Sequence, residues 1–326
     1  MLDEQQKPVE TSTQTSPAPE TPIKTTSAKK SVSHKKLIIG FFVFAALALS
    51  AMGVTAGVYL QPPTSGFVRA VTGVLPYPAV VVDGRPVSIN DYLAEYDALV
   101  NYFTLAAPGE MPSEAELESN IVDTLINKTA IQNIARSHGI VLDPVREEEF
   151  FQQVVAQSGE EAFATQLSET FGWTPEEFRA RVVGSVVLAT QVGEWIASDA
   201  QTQTEARSQA DGALTRLQAG EDFAIVAGDT SQDFSAAQGG DIGYVTRAEL
   251  PETWGPAVAD LEVGAHSSVV ESPEAFLIFS VTDRIAGEDE QIKLSVIVLP
   301  KKTLDEVVAE YLDSVKVWRL LGEKEA

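Results

Sequence analysis

The sequence predicts an α+β chain in three parts: a transmembrane helix, a helical module, and a small mixed module with an antiparallel sheet of about four strands. Three observations carry this. Leu37 to Leu60 is a run of 24 residues without a charge. Helix-start signals recur between Ser88 and Pro175. Two β-rich segments, residues 276–284 and 291–299, are joined across the turn Gly287-Glu288-Asp289-Glu290.

The first element is the apolar run. Its length suffices to cross a hydrocarbon layer of ~30 Å as a helix. Residues 1–36, rich in Thr, Ser, Pro, Gln and Lys, lack the apolar surface to offset chain entropy and are expected to be a disordered cytoplasmic tail. Lys29, Lys30, Lys35 and Lys36 precede the run, and no basic residue follows until Arg69. The positive-inside bias then puts the N-terminus in the cytoplasm and everything after residue 60 outside the membrane. A cleaved signal peptide, the competing reading, would have a shorter leader and a core of only about 7–15 residues. Residues 61–76, opening Gln61-Pro62-Pro63, are expected to be a linker.

Residues 77–200 form the expected helical module. Val80 to Val82, the turn Asp83-Gly84 and the return to Ser88 predict a small hairpin. Ser88 with Asp91, Ser113 with Glu116, Asp143 before Pro144, and Thr174 before Pro175 each predict a helix start. The second of these helices stops at Gly139, and His138 in its last turn is explained by the favourable end of the helix dipole. Glu147, Glu148 and Glu149 fit a solvated first turn better than a cation site. The helix begun at Thr174 is expected to run unbroken to about residue 218.

Residues 201–299 follow a different rhythm. Gly220-Glu221-Asp222-Phe223 joins two helices. Ser231-Gln232-Asp233-Phe234-Ser235 leads to Gly239-Gly240-Asp241-Ile242-Gly243-Tyr244, where the glycines suit tight turns. Leu250 to Trp254 opens a short helix, Gly264 to Val269 is a turn, and Phe276 to Arg284 is a strand. Residues 300–326 hold a last helix, capped by Thr303 with Glu306, whose stripe Leu304, Val308, Tyr311, Val315 and Trp318 is expected to pack on the helical module.

These motifs, in this order, resemble a parvulin domain (rotamase, PpiC-type peptidyl-prolyl isomerase). The strings VVVDGRPVSINDYL, IVDTLINKTAIQNIARSHGIVLD and FGWTPEEFRARV resemble the N-terminal domain of SurA/PrsA-type foldases. The resemblance implies a proline slot lined by Leu250 and Trp254, with Asp233 beside the rotating bond; as plain residues, Leu250 and Trp254 would simply be core. It also implies that two family histidines are replaced, by Leu277 and by Ser295, so the site is degenerate. No strand precedes the Gly220 helix. Residues 292–299 are therefore expected to stand in for the family's opening strand, as in a circularly permuted domain.

Composition narrows the rest. There is no cysteine, which excludes disulfides, thiolate zinc sites, a thiol nucleophile and a lipid-modified cysteine. Three histidines, His34, His138 and His266, make a His-rich metal site improbable, and no phosphate loop or Ser-His-Asp order signals a cofactor. Net charge is -24, with six Lys against four acids in residues 1–36 and 17 basic against 43 acidic residues after residue 60. So acidic a body repels phosphate backbones, so no nucleic-acid partner is expected. The expected partners are the bilayer, through residues 37–60, and unfolded or nascent exported polypeptides with their X-Pro segments. Three functions follow: an extracytoplasmic chaperone with weak or lost isomerase activity, an active prolyl isomerase, and a non-catalytic envelope adaptor.

Overall fold

The uncharged apolar run is helical, as its length demands. A computed structural model describes residues 34–287 and 290–321, with side chains from Ala45 onward in the first helix. Helix α1 (His34–Leu60) takes in the last residues expected in the tail, and the rest of that tail lies outside the described residues. Leu47, Leu49, Met52 and Leu60 are exposed on α1. Among the described residues no helix is long and apolar enough to cross a membrane. The chain divides into two units, Met1–Thr55 and Ala56–Ala326.

The second unit begins inside a core. Residues 61–76, expected as a linker, contain helix α2 (Gly66–Thr72), capped by Ser65, whose hydroxyl accepts from Val68 N. Val58 and Val68 are fully buried with Ala79, Val80 and Val82. The segment is thus packed because its apolar residues recur at helical spacing, which the prolines before it obscured. Strands β1 (Pro78–Val82) and β2 (Arg85–Ser88) form the hairpin. Asp83 and Gly84 both take positive φ, 50° and 74°, as a two-residue turn between twisted strands requires.

The helix starts fall where their caps stand. Capping boxes close on Ser88 for α3 (Ile89–Leu105) and on Ser113 for α4 (Glu114–Ser137). Asp143 caps α5 (Pro144–Ala156), and α6 (Glu160–Phe171) ends at Gly172 with φ 73°. Thr174 caps the short α7 (Pro175–Phe178), which continues through a π segment, Arg179–Val183, into α8 (Gly184–Ser198). His138 caps the end of α4, with its ring 3.9 Å from that of Trp195. Glu147 and Glu148 are held by Arg179 at 3.0 and 2.5 Å.

The unbroken helix to residue 218 is not found. Asp199 accepts from Thr202 N at 2.8 Å and from its hydroxyl at 2.6 Å, which turns the chain out of α8. The Gln203 amide then donates to Ile196 O and Lys302 O. Helices α9 (Thr204–Gln218) and α10 (Phe223–Thr230) follow. Strands β3 (Asp241–Thr246), β4 (Val270–Glu271), β5 (Ala275–Ile285) and β6 (Gln291–Pro300) pair antiparallel in the order β3-β6-β5-β4, and the small helix α11 (Gly255–Val258) lies between β3 and β4 in sequence. Strand β6 is therefore inside the sheet, not at its edge.

Helix α12 (Leu304–Ser314) starts at the Thr303 box. Its Leu304, Val308 and Tyr311 pack against Ala130 and Ile134 of α4 and Val192 and Ile196 of α8. The stripe does not extend to Trp318. The helix stops at Ser314, and strand β7 (Val317–Arg319) pairs with β1, Val80 opposite Arg319, leaving Trp318 exposed. Pairing supplies β1 with partners on both edges, which outweighs one further helical turn.

Candidate functional site

The site is built on the long β5–β6 pair. Strand alternation sends Leu277, Phe279 and Val281 to one face, opposite Val298, Val296 and Leu294 of β6. Phe276 and Ile278, opposite Leu299 and Ile297, point the other way, under α9 and α10. The first face is covered by the chain after β3. Leu250, Trp254, Ala257 and Val258 pack onto it, and the Trp254 ring stands 5.0 Å from that of Phe279. Leu250 and Trp254 are half-buried on this face.

The cover is clamped by Arg284. Its Nη2 donates to the carbonyls of Val258 at 2.8 Å, Ala259 at 3.1 Å and Leu261 at 2.9 Å, and its Nη1 reaches Glu290 at 2.8 Å. These carbonyls stand at and just beyond the C-terminal end of α11. Sequence reading took this arginine only as the end of a strand motif; the motif was the available signal, but its partners are tertiary. Tyr244 donates to Asp283 at 2.6 Å, joining β3 to β5. That bond holds the Asp283 carboxyl below its ordinary range and the Tyr244 hydroxyl above its own. Lys293 beside Asp241, at 2.9 Å, likewise holds the Asp241 carboxyl low.

The loop after α10 is pressed along β6. Gln232 N donates to Val298 O, Ser231 Oγ accepts from Val298 N, and Gly240 O accepts from Val296 N. Gly240 has φ 81°, and a Cβ there would stand 2.5 Å from Val296 O. Only glycine lets the loop approach so closely. Asp233 lies between these anchors, half-buried, its Oδ1 accepting from Ser235 N at 2.8 Å. Phe234 beside it is 86% exposed.

Of the sequence-derived site residues, Leu250, Trp254 and Leu277 come together on one face, and Asp233 lies on the loop that edges the same strand. Ser295 does not join them. It pairs with Ser280 on the opposite face, and the β6 residues that share the Leu277 face are Val296 and Val298. The strand's phase, one residue away, decides this. His266 pairs its main chain with Ser280, and its Nδ1 lies 2.9 Å from Ser267 O. The face that Leu250, Trp254 and Leu277 share is apolar, and the Asp233 carboxylate belongs to the loop along β6. Rotation about an X-Pro bond makes and breaks no covalent bond, and its barrier of ~18–20 kcal/mol comes from amide resonance. Among the described residues no cluster of His, Asp and Glu could hold a metal ion.

Residues 186–283 match the rotamase family described as the PPIC-type PPIASE domain. The matched stretch runs from α8 to β5 and leaves out β6. Chaperone SurA of Thiobacillus denitrificans is 22% identical over 270 residues, 70% of this chain and 62% of that protein. Foldase protein PrsA of Halalkalibacterium halodurans is 27% identical over 197 residues, 52% of this chain and 59% of that protein. Periplasmic chaperone PpiD of Haemophilus influenzae is 37% identical over 95 residues, 29% of this chain and 15% of that protein. The chain spans less than two thirds of the length of each of these curated relatives.

Proposed function

We propose, for a chain whose sequence makes it a relative of the SurA/PrsA-type foldases with a parvulin domain, that it is a membrane-anchored extracytoplasmic chaperone for exported polypeptides, with weak or lost isomerase activity. The observation that carries the reduced activity is the makeup of the slot. Leu277, Val296 and Val298 present hydrocarbon on the face where, by the family resemblance, a catalytic network would need polar atoms to orient Asp233. An apolar slot still accepts a proline ring and excludes water from it, which suits binding without turnover.

The remaining parts of the reading rest on other features. The Leu37–Leu60 run, flanked by lysines on one side only and exposing Leu47, Leu49 and Met52, supports an anchor with residues 1–36 in the cytoplasm and 61–326 outside. The interior position of β6 supports its standing in for the opening strand of a permuted parvulin sheet. The domain plan that follows is a helical body from 61 to 200 closed by 300–326, with the parvulin-like module, 201–299, between.

A second reading, an active isomerase, is favoured by Asp233 on the loop along β6. One experiment separates the two. The full chain in detergent micelles is assayed for turnover of a Pro-containing peptide and for suppression of aggregation of an unfolded protein. Suppression without turnover is expected. Turnover that Asp233→Ala abolishes would replace the first reading with the second.

A further inference from the structure

The body opens on a stretch without acids. Between Glu20 and Asp83 there is no Asp or Glu, and Arg69 is the one charged residue between Lys36 and Asp83. All 43 acidic residues that follow the apolar run therefore stand at or beyond Asp83. The same stretch carries exposed hydrocarbon. Phe67, Ala70 and Val74 recur at helical spacing along α2 and the turn that extends it, and each is exposed, Val74 by 81%. Leu60 and Leu75, close to them in sequence, are exposed as well.

This face is held in place from behind. Val58 of α1 and Val68 and Thr72 of α2 are buried, and the Tyr59 hydroxyl donates to Pro78 O at 2.9 Å. A Cβ at Gly57 would stand 2.8 Å from the Phe67 ring, so glycine there lets α2 close on the last turn of α1. Asn90 ties the far end, its amide donating to Thr72 O at 2.7 Å. The acid bonded to α2 is matched by a cation: Asp97 accepts from Arg69 Nη1 at 2.8 Å and Nη2 at 2.6 Å. An exposed apolar face, free of acids of its own, thus directly follows the uncharged apolar run. A second copy of the chain would bring its own acidic body up against this one, whereas a bilayer surface would meet the run and the face in succession.

We propose that the face formed by Phe67, Ala70, Val74 and Leu75 lies on the lipid surface, at the boundary between headgroups and acyl chains, and holds the body in one pose against the bilayer. Apolar faces of interfacial helices sit ~5–10 Å into that boundary. The proposal rests on the anchor reading and deepens it: the body is seated on the membrane, because α2 and the end of α1 share one core where a loose linker would let it swing.

The chain has no cysteine, so single-cysteine variants of the full chain each take one fluorescent label. Val74→Cys, Leu75→Cys, the anchor reporter Met52→Cys and the exposed controls Val141→Cys and Val263→Cys are labelled with a nitrobenzoxadiazole dye. They are reconstituted into vesicles of phosphatidylethanolamine and phosphatidylglycerol. Lipid spin-labelled near the headgroup should quench the labels at Val74 and Leu75 at least about threefold more strongly than the controls. Lipid spin-labelled deep in the acyl chain should quench the label at Met52 most. Val74→Asp with Leu75→Asp, both at exposed positions, should bring a label on Ala70→Cys down to the control level. Quenching at Met52 with Val74 and Leu75 no different from the controls would overturn the proposal and leave the anchor. Quenching at Val74 and Leu75 with Met52 no different from the controls would leave the surface contact and remove the anchor. Blue-shifted labels at Val74 and Leu75 that neither lipid quenches would mean that protein, a second copy included, covers the face, and would overturn the assignment.

Discussion

Arg284→Met removes a clamp while keeping much of the side-chain volume. The guanidinium Nη2 has two N–H groups for three carbonyls at 2.8–3.1 Å, so two full hydrogen bonds are at stake. Hydrogen bonds from a charged donor contribute ~1.5–3 kcal/mol each, and the side chain is only 20% exposed. Carbonyls at a helix end can partly recover water, so the low end applies and the expected loss is about 3 kcal/mol. In urea this lowers the unfolding midpoint by about 1 M at unchanged slope. Emission should shift to the red, because the segment that Arg284 holds carries Trp254 onto Phe279. The shift should vanish in a Trp254→Phe background. Glu290→Gln, which removes the ion pair and leaves the carbonyl bonds, should cost no more than about a quarter as much. If Glu290→Gln costs as much as Arg284→Met, or if the arginine variant loses less than about 1 kcal/mol, the clamp argument is wrong.

Three further outcomes follow from the same site. Gly240→Ala forces φ 81° on a residue with a Cβ and sets that atom 2.5 Å from Val296 O, so thermal unfolding should show a loss of at least about 2 kcal/mol. Trp254→Ala strips a half-buried ring from Phe279 and should cost ~2–4 kcal/mol in denaturant titration, and it should abolish the X-Pro binding that the proposed function assigns to this face. The Tyr244–Asp283 bond should give stability a window in pH. The carboxyl is held below its usual value, so its contribution is complete above about pH 4 and fades as pH falls further. The phenol is raised, so its contribution is complete below about pH 10 and is lost as pH climbs past the folded value. Tyr244→Phe should flatten both limbs of a stability–pH curve, and a curve unchanged at either limb would contradict the assignment.

Local chemistry made much of the fold legible. Ser88, Ser113, Thr174 and Thr303 each begin a helix because their hydroxyls accept a main-chain N–H three residues on, a rule that acts within one turn. What stayed hidden depended on distant partners. The break at Asp199 has no Gly or Pro to announce it; it is held by Gln203 bonding Lys302, 99 residues away. Trp318 sits at helical spacing from Tyr311, yet its segment is a strand because β1 offers an open edge. The displacement of Ser295 to the far face is a question of phase: Lys293 and Ser295 share one parity of the strand, and which face of the sheet that parity meets is fixed by the pairing with β5. The grouping of Leu250, Trp254 and Leu277 was readable from the order of the motifs, and the hold of Arg284 on the segment that follows Trp254 was not.

The strand that completes the first sheet comes from the far end of the described chain. Strand β1 lies between β2 and β7, and α12 returns to α4 after the polypeptide has left through Gln203 and re-entered at Lys301, whose ammonium is tied to Ala197 O and Glu271. A chain synthesised from its N-terminus therefore presents β1 long before β7 exists. Until some 230 residues later the hairpin has one bare edge, and Ala130 and Ile134 of α4 lack the cover of α12. Maturation of the helical body is thus timed by completion of the module inserted within it, so an arrested or truncated chain leaves an open seam that proteases can find.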